Sequence, residues 1–215
     1  MNRSAPFIFH HKRYDLWFER HSAAWQSELL AVRALLPWQG LGLSIGVGSG
    51  RFAAPLGVQI GIDPATEMLA YAEKRGVTTV QAIAEALPFS NNCFDYALSV
   101  TTVCFVNNAD TMLREAKRVL KPEGALVLGF IDRETKLGQQ YLSHQAENVF
   151  YRDATLYSAA EIESLLDKNG FTEFCWLQTL FHSLDSISQI EALRDGNGQG
   201  AFVVVKARLP ESQSG

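Results

Sequence analysis

The sequence predicts an α/β fold, built as a doubly wound, mostly parallel sheet of seven strands with helices on both faces and an antiparallel last strand. Two observations lead to this prediction. Short apolar segments typical of strands alternate with helical patterns along the chain, and capping and turn residues separate them. Such alternation forms parallel sheets through right-handed crossovers. Because these sheets bind ligands beyond the carboxyl ends of their strands, we expect functional residues in the loops that follow the strands.

The seven expected strands are short runs with strand-forming side chains. They cover residues 41–45, 58–62, 78–83, 94–100, 125–131, 171–180 and 201–207. Start and stop signals mark the helices between them. Asp63 and Pro64 open one helix that Gly76 closes, Asp110 opens a second that ends at Pro122, and a capping box of Ser158 and Glu161 opens a third that ends at Gly170.

Residues 1–37 are predicted to form a helical cap ahead of the first strand. An aromatic-rich helix covers residues 14–21, and Ser22 is expected to cap a second helix. Pro37 stops that second helix. Its apolar side chains recur at helical spacing, namely Trp25, Leu29, Val32 and Leu36.

The composition is that of a globular chain with one core. A length of 215 residues allows one generous core, so residues 1–215 are treated as a single domain. Apolar residues at 47% and charged residues at 20% argue against disorder and fibrous architectures. The sequence contains no apolar run of the roughly 20 residues that a membrane helix needs, and no signal-peptide apolar block. We therefore expect no membrane association and a cytoplasmic location.

Charge and cysteine usage favour a small-molecule partner. A net charge of −4 gives no electrostatic footprint for a phosphate backbone, so nucleic acid is not expected. Three cysteines, Cys93, Cys104 and Cys175, are odd in number and lack paired metal spacing. We therefore expect no disulfide framework and no metal site, with buried packing as the role of each thiol. The oligomeric state stays open between monomer and dimer.

A glycine loop joins the first predicted strand to a predicted helix start. At such a turn Gly46, Gly48 and Gly50 let backbone amides approach a ligand closely, although a tight turn without a ligand is an alternative. Dinucleotide-binding loops have the spacing G-x-G-x-x-G, whereas Arg51 stands at the last of those positions here. A nicotinamide dinucleotide is therefore the less natural ligand.

The same spacing occurs again near the C-terminus, where Gly196, Gly198 and Gly200 precede a predicted strand. A strand offers no helix N-terminus to receive a charged ligand, so we expect a hairpin loop at this second string. The element that follows each string therefore distinguishes the two: a helix is expected after the first and a strand after the second.

Asp63 ends the second predicted strand, beside the glycine loop. A carboxylate at this place can accept hydrogen bonds from both hydroxyls of a ribose, and the role of helix N-cap is a compatible alternative. An apolar bed for a purine ring is available from three side chains that also fit an ordinary core, namely Ile62, Met68 and Leu87.

Four motifs between residues 41 and 131 occur in a recognisable order. They are Gly46-x-Gly48-x-Gly50, the turn at residues 61–64, the segment at residues 84–89, and the helix-to-strand segment at residues 113–124. Together they resemble the class I S-adenosylmethionine-dependent methyltransferases, the broad family that includes the ubiquinone and menaquinone C-methyltransferases. The aromatic helix around residues 14–18 also resembles the one with which small members cover the cofactor, though an ordinary packing helix has the same pattern.

The resemblance implies a Rossmann-like fold with residues 41–131 as its cofactor-binding core. It implies S-adenosylmethionine as the cofactor, S-adenosylhomocysteine as its product, and transfer of a methyl group to an unidentified, small-molecule acceptor. The candidate cofactor-binding residues are Tyr14, Trp17, Gly46, Gly48, Gly50, Asp63, Pro64, Met68, Ala84, Glu85 and Thr101.

Two positions depart from the family pattern. Ser44 stands where most members carry an acidic residue that helps to hold the cofactor's ammonium group. Ile83 stands where relatives often place an aspartate for the adenine amino group, which leaves Ala84 and Glu85 as candidates. These departures keep a second hypothesis open, that of a regulatory protein that binds the cofactor without turnover. A nicotinamide-dependent oxidoreductase is a third.

Methyl transfer is an in-line displacement, for which proximity and orientation matter more than a dedicated catalytic group. Weak candidates for a general base are Thr101, Asp132 and His144. Residues 132–157 form an unusually long connection, which we interpret as a lid that holds the substrate, before a C-terminal helix and strand hairpin at residues 158–209. Side chains expected to line the lid are Tyr141, His144, Phe150, Tyr151 and Arg152.

Overall fold

The computed structural model describes residues 3–211 of the chain. Within that range the protein forms eight α-helices, which are α1 (Ala5–Phe9), α2 (His11–Arg20), α3 (Ser22–Leu35), α4 (Ala53–Leu56), α5 (Thr66–Lys74), α6 (Ala109–Val119), α7 (Lys136–Ser143) and α8 (Ala159–Lys168). The same range contains eight strands, which are β1 (Gly42–Ile45), β2 (Ile60–Asp63), β3 (Thr78–Gln81), β4 (Phe94–Val100), β5 (Leu120–Ile131), β6 (Thr172–Thr179), β7 (Arg194–Asp195) and β8 (Phe202–Arg208).

The strands form one sheet in the order β3-β2-β1-β4-β5-β8-β6-β7. Strands β1 to β5 pair in parallel, whereas β8 pairs antiparallel with both β5 and β6, and β7 pairs antiparallel with β6. The chain winds outward from β1 in one direction and from β4 in the other. The crevice at the carboxyl ends of β1 and β4 is therefore the topological switch point, where such sheets bind ligands.

This architecture confirms the predicted Rossmann-like α/β sheet, and all seven expected strands are present, β4 with the predicted bounds and the other six with shifted ends. The largest shift is in β5, which begins at Leu120 because α6 already ends at Val119, so Pro122 lies in the strand and is not the end of the helix. The additional strand is β7. It has two residues, too few to leave an alternating pattern in the sequence.

Helices cover both faces of the sheet. On one face, buried side chains of α6 and α8, such as Met112 and Ile162, pack against Leu43 and Leu128. On the other face, side chains of α3 and α5 join a second cluster with strands β4, β5 and β8. Two apolar layers therefore pack on the sheet, one on each of its faces.

The predicted capping residues have mixed outcomes. The capping box of α8 is confirmed, since the Glu161 N–H donates to Ser158 Oγ at 3.2 Å and the Ser158 N–H donates to Glu161 Oε2 at 2.9 Å. The prediction that Ser22 caps α3 is wrong, because α2 and α3 meet at His21 and Ser22 is already helical. Asp110 is also wrong, because Asn108 caps α6 by accepting from Thr111 N–H at 3.0 Å.

Asp63 is not the N-cap of α5. That helix begins at Thr66 after Ala65, and Asp63 is the last residue of β2. Its Oδ1 accepts from the Ala65 N–H at 2.9 Å, which is a side-chain turn of the Asx kind ahead of the helix. The carboxylate is therefore held at the sheet edge.

Residues 132–157 contain a helix, α7, that the sequence analysis did not predict. Thr135 caps it by accepting from the Gly138 N–H at 3.2 Å. A 3-10 turn at Gln145–Glu147 follows, and the Thr155 N–H donates to Cys104 O at 2.8 Å, which ties the segment to the loop after β4. An eight-residue helix with an internal glycine gives only a weak periodic signal.

The second glycine string is not a hairpin loop. Strands β7 and β8 lie on opposite sides of β6, so the segment between them passes from one side of β6 to the other. The Gln178 side chain holds it by accepting from Gln199 N–H at 2.9 Å and Gly200 N–H at 2.8 Å. A strand does follow it, and β6 and β8 do form the expected antiparallel pair.

Candidate functional site

Two cavities adjoin at the carboxyl edge of the sheet. The loop cavity, of about 140 Å³, lies against the glycine loop, the end of β2 and the loop after β4. The aromatic cavity, of about 270 Å³, lies beneath α1, α2, α3 and the segment around α7. Four side chains line both cavities, namely Phe7, Tyr14, Thr101 and Phe105.

Gly46 and Gly48 line the loop cavity with their backbone. Both have positive φ, 72° and 53° respectively, a conformation that side chains other than glycine rarely adopt. A Cβ at Gly46 would overlap the Thr102 side chain. A Cβ at Gly48 would instead make only ordinary contacts, with Met68 Cε at 3.5 Å and Tyr14 Cε1 at 3.9 Å, two side chains that line the same cavity. The backbone at Gly48 is therefore accessible to a ligand.

Gly50 has a different role in the same loop. Its φ is 81°, and a Cβ there would lie 3.0 Å from Ala72 Cα, so it allows the loop to pack against α5. It lines neither cavity. The helix that follows, α4, is a single turn of four residues, so this loop contacts a ligand through its own amides and not through a long helix dipole.

Asp63 faces the loop cavity from the end of β2. Its Oδ2 accepts from the Gly48 N–H at 3.0 Å, and its Oδ1 accepts from the Ala65 N–H at 2.9 Å. Burial raises the pKa of Asp63 to about 6, against the opposing effect of these two donors. The carboxylate is thus ionised at neutral pH, and each oxygen retains capacity to accept a further hydrogen bond.

Most of the predicted cofactor residues come together around the loop cavity. Besides the residues above, it is lined by Tyr14, Pro64, Met68, Ala84, Glu85 and Thr101, and by the departure position Ile83. Glu85 Oε1 also accepts from the Asn107 N–H at 2.6 Å, so it positions the loop after β4. Of the purine-bed candidates, Ile62 and Met68 line the cavity and Leu87 does not. Trp17 lines only the aromatic cavity.

Thr101 occupies the junction of the two cavities. It follows β4 with a φ of 50°, and its N–H donates to Gly129 O at 2.7 Å. A β-branched residue in this conformation is strained, and such strain is concentrated at functional sites. The strained turn places the Thr101 side chain where the cavities meet.

The two other base candidates lie outside both cavities. Asp132 is buried after β5, where its Oδ1 accepts from the Glu134 N–H at 3.0 Å. His144 is exposed at the end of α7, beside Ser143 Oγ and Gln140 O. Cys104 also lines neither cavity, and burial raises the pKa of its thiol to about 12. The catalytic roles of Asp132 and His144 stay predictions without geometric support.

Sequence reasoning missed Glu28 as a site residue. It lies on α3, is 5% exposed and lines the aromatic cavity. Burial raises its pKa to about 8. The sequence held one signal, since Glu28 falls within the apolar stripe of Trp25, Leu29 and Val32, and an acidic residue on a buried helix face has an unusual environment.

An ion-pair network fastens α2 over the glycine loop. Asp15 Oδ2 lies 2.8 Å from both Arg51 Nη2 and Arg75 Nη2, and Arg75 Nη1 donates to Ser49 O at 2.8 Å. Burial alone would raise the pKa of Asp15, but hydrogen bonds from the two arginines outweigh it and lower the pKa to about 2. Arg51 therefore links the covering helix to the loop.

The N-terminal residues also cover the loop cavity, which the sequence did not show. Arg3, Ser4 and Phe7 line it, and Arg3 Nη1 donates to Val106 O at 2.8 Å. These contacts span more than 100 residues of sequence, so they depend on tertiary packing and have no local signature.

Comparison with known proteins decides the family. The profile described as a methyltransferase domain matches residues 43–128. A crystal structure of a S-adenosylmethionine-dependent methyltransferase from Thermotoga maritima, described as a possible histamine N-methyltransferase, is 44% identical. It superposes with a TM-score of 0.94 over 96% of this chain and 99% of that chain. The chain belongs to the S-adenosylmethionine-dependent methyltransferases.

The sequence of the methyltransferase is also similar to those of two further proteins. An uncharacterized protein of Methanocaldococcus jannaschii is 40% identical over 196 residues, which is 91% of this chain and 95% of its own length. A ubiquinone biosynthesis O-methyltransferase of Azorhizobium caulinodans is 28% identical over 157 residues, or 65% of this chain and 62% of that protein. The first similarity includes most of the covering and C-terminal segments as well as the core.

The residues of the methyltransferase fit its cofactor, S-adenosylmethionine, which family membership favours over a nicotinamide dinucleotide. Gly48 lines the loop cavity with its backbone, and Asp63 presents an ionised carboxylate to the same cavity. Within residues 3–211, no helix is long and apolar enough to cross a membrane, and no group of three or more potential metal ligands is found.

Proposed function

We propose that the methyltransferase binds S-adenosylmethionine in the loop cavity and transfers its methyl group to a small molecule in the aromatic cavity. The observation that carries this proposal is the shared boundary of the cavities at Phe7, Tyr14, Thr101 and Phe105. When bound, the cofactor supplies a methyl group already activated by the sulfonium. The protein then needs to align the acceptor, hold it close and exclude water.

The geometry of the loop cavity supports a cofactor-binding role for each of the following residues. Asp63 accepts hydrogen bonds from the ribose hydroxyls, Gly46 and Gly48 bring the backbone close, and Gly50 maintains the packing of the loop. Further contacts come from Ile62, Pro64, Met68, Ala84, Glu85 and Thr101. Tyr14 covers the cofactor from α2, whereas Trp17 lines the aromatic cavity that holds the acceptor.

A small acceptor matches the size and enclosure of the aromatic cavity. Helices α1, α2 and α3 and the segment 132–157 close over it as parts of the single domain, and strands within residues 158–209 complete the sheet. The Thermotoga maritima relative, described as a possible histamine N-methyltransferase, carries a name that also refers to a small acceptor. The net charge of −4 gives no reason to expect nucleic acid. A cytoplasmic location stays a prediction.

The test is a calorimetric titration of S-adenosylhomocysteine into the wild-type chain and into Asp63→Ala. We expect the substitution to weaken binding about 10- to 150-fold, because a hydrogen bond to a charged group contributes roughly 1.5 to 3 kcal/mol. Glu163→Gln, at an exposed position of α8, serves as the control and leaves the affinity unchanged. Equal affinity of Asp63→Ala and wild type would remove the assignment of Asp63.

Transfer itself is tested by incubating the chain with methyl-labelled S-adenosylmethionine and a broad set of small acceptors. Formation of labelled product together with S-adenosylhomocysteine is the expected result. Cofactor binding without product across amines, alcohols, thiols and carbon nucleophiles would favour the regulatory alternative.

A further inference from the structure

The aromatic cavity contains a carboxylate without a protein partner. Glu28 lies on the face of α3 that carries the buried residues Ala24, Ala31 and Val32. Within residues 3–211, neither a hydrogen bond nor an ion pair to its side chain is found, although the side chain is almost completely buried. A buried charge without a partner is costly. Glu28 is therefore unfavourable for folding unless something else binds it.

Rings surround the space into which Glu28 faces. The cavity is lined by Trp17, Phe18, Phe52, Tyr141 and Tyr151. Two of these rings, Tyr141 and Tyr151, lie with centroids 4.9 Å apart. The negative faces of aromatic rings attract cations, most strongly where water is excluded. Rings and a carboxylate together form a site whose chemistry suits a positively charged ligand.

The other titratable groups of the cavity do not replace Glu28. Burial raises the pKa of Tyr14, Tyr141 and Tyr151, so their hydroxyls stay neutral. Arg13 and Arg20 of α2 are exposed, and solvent screens their guanidinium charges. His21, which follows α2, is partly exposed. Among the described residues that line the cavity, Glu28 is the one acidic side chain.

We propose that the aromatic cavity binds the methyl acceptor as a cationic amine, with Glu28 as its ion-pair partner. This inference rests on the proposed function, since it names the acceptor class for the same site. The aromatic walls hold the ring or alkyl body of the amine, and the carboxylate holds its nitrogen near Thr101, where the cavities meet.

Glu28 also serves the proton balance of the transfer. One proton passes from the bound ammonium to the Glu28 carboxylate, which frees the nitrogen lone pair. That lone pair forms the new bond to the methyl carbon while the carbon–sulfur bond breaks and its electron pair stays on sulfur. The products are the methylated ammonium, the neutral Glu28 carboxylic acid and the thioether S-adenosylhomocysteine. In the free protein burial raises the pKa of Glu28 to about 8. Amine binding displaces that proton, and the carboxylate so formed is the base that accepts one proton from the bound ammonium.

The experiment compares amines with neutral compounds of the same shape. Tryptamine and phenethylamine, and their alcohols tryptophol and 2-phenylethanol, are titrated by calorimetry into the full chain saturated with S-adenosylhomocysteine. We expect each amine to bind about 10- to 100-fold more tightly than its alcohol. Glu28→Gln, which keeps the side-chain size, removes that preference and leaves alcohol binding unchanged, while Glu163→Gln behaves as wild type.

Proton release gives a second readout that a purely structural role of Glu28 would not change. Because the carboxyl is largely protonated at pH 7 in the free protein, amine binding releases nearly one proton in wild type and none in Glu28→Gln. Titrations in buffers of different ionisation enthalpy measure this number. Equal binding of amines and alcohols, no amine binding at millimolar concentration, or equal proton release in both proteins overturns the inference.

The two proposals fail in different ways. Absence of S-adenosylhomocysteine binding contradicts the proposed function itself. Normal binding of S-adenosylhomocysteine with no Glu28-dependent preference for amines contradicts only the amine inference.

Discussion

Asp63 and Glu28 are both carboxylates beside the proposed transfer site, but Asp63 is half-buried whereas Glu28 is almost completely buried, and their surroundings differ. Asp63 receives two backbone N–H donors at the sheet edge, from Gly48 and Ala65, and burial raises its pKa to about 6. Glu28 receives none among the described residues, and burial raises its pKa to about 8. The difference indicates two ligand chemistries. A carboxylate held by donors can orient ligand hydroxyls, whereas one without donors needs a cation.

The largest expected effect is on the pH dependence of stability. In the folded state Glu28 keeps its proton between its ordinary pKa of 4.5 and about 8, while the unfolded chain loses it. The folded state therefore binds more protons in this window, and stability falls as the pH rises through it. A shift of this size corresponds to roughly 3 to 5 kcal/mol.

Glu28→Gln removes this dependence, and urea unfolding at a series of pH values measures it. Above pH 8 the variant should be more stable than wild type by that amount, and near pH 4.5 the two should be similar. Asp63 contributes a fall of the same sign between pH 3.8 and about 6 in both proteins. Parallel curves for wild type and Glu28→Gln between pH 6 and 8 would contradict an unpaired Glu28.

The next largest expected effect is a loss of stability on substitution in the glycine loop, which contacts Asp63. Gly46→Ala adds a methyl group that overlaps Thr102 in a residue with positive φ, so we expect a loss of roughly 2 to 4 kcal/mol in the free energy of unfolding. Gly57 is a matched control because its φ of 73° is nearly the same and a Cβ there meets nothing within 4 Å. Gly57→Ala should lose only about 1 kcal/mol, and an equal loss at the two positions would refute the steric role of Gly46.

The two sides of the site also differ in how far the sequence predicts them. The sheet, the glycine loop and Asp63 follow from local patterns, because each pattern determines its own backbone geometry within a few residues. The aromatic cavity combines Phe7, Glu28 and Tyr141 from distant segments, and their proximity depends on tertiary packing. The long connection at residues 132–157 predicted that Tyr141 lines a substrate segment, and Glu28 stands out as an acid within an apolar helix stripe. Neither signal shows that the two side chains meet in one cavity.

The prediction of Asp63 as a helix N-cap failed for a physical reason. An aspartate before proline has the pattern of a helix N-cap, but it bonds the Ala65 N–H in a turn two residues before the helix begins. The competing turn hydrogen bond is available to the same residue type. The sequence therefore predicted the position of Asp63 at the end of the second strand correctly, whereas the alternative role of helix N-cap is wrong.

The smallest expected effect on stability concerns the ion-pair network that fastens α2 over the glycine loop. Asp15→Asn leaves Arg51 and Arg75 without their shared carboxylate, and we expect a loss of roughly 1 to 3 kcal/mol in urea unfolding at pH 7. Because the pKa of Asp15 is lowered to about 2, its contribution is present above pH 3.8 and disappears as the pH falls through 2. This dependence is opposite in sign to that of Glu28.

Glu19→Gln is the control for that network. Glu19 also contacts Arg51, at 3.0 Å, but its side chain is 60% exposed, so we expect a change below about 0.5 kcal/mol. A loss at Glu19→Gln as large as that at Asp15→Asn would show that Asp15 has no special part in fastening α2.

The most direct test that the loop cavity binds the cofactor and the aromatic cavity binds the methyl acceptor is a crossed titration of two ligands into two variants. S-adenosylhomocysteine and tryptamine are each titrated into Asp63→Ala and Glu28→Gln. We expect Asp63→Ala to weaken S-adenosylhomocysteine about 10- to 150-fold with tryptamine changed less than about twofold, and Glu28→Gln to show the reverse pattern. Equal weakening of both ligands by either substitution would contradict two separate binding carboxylates.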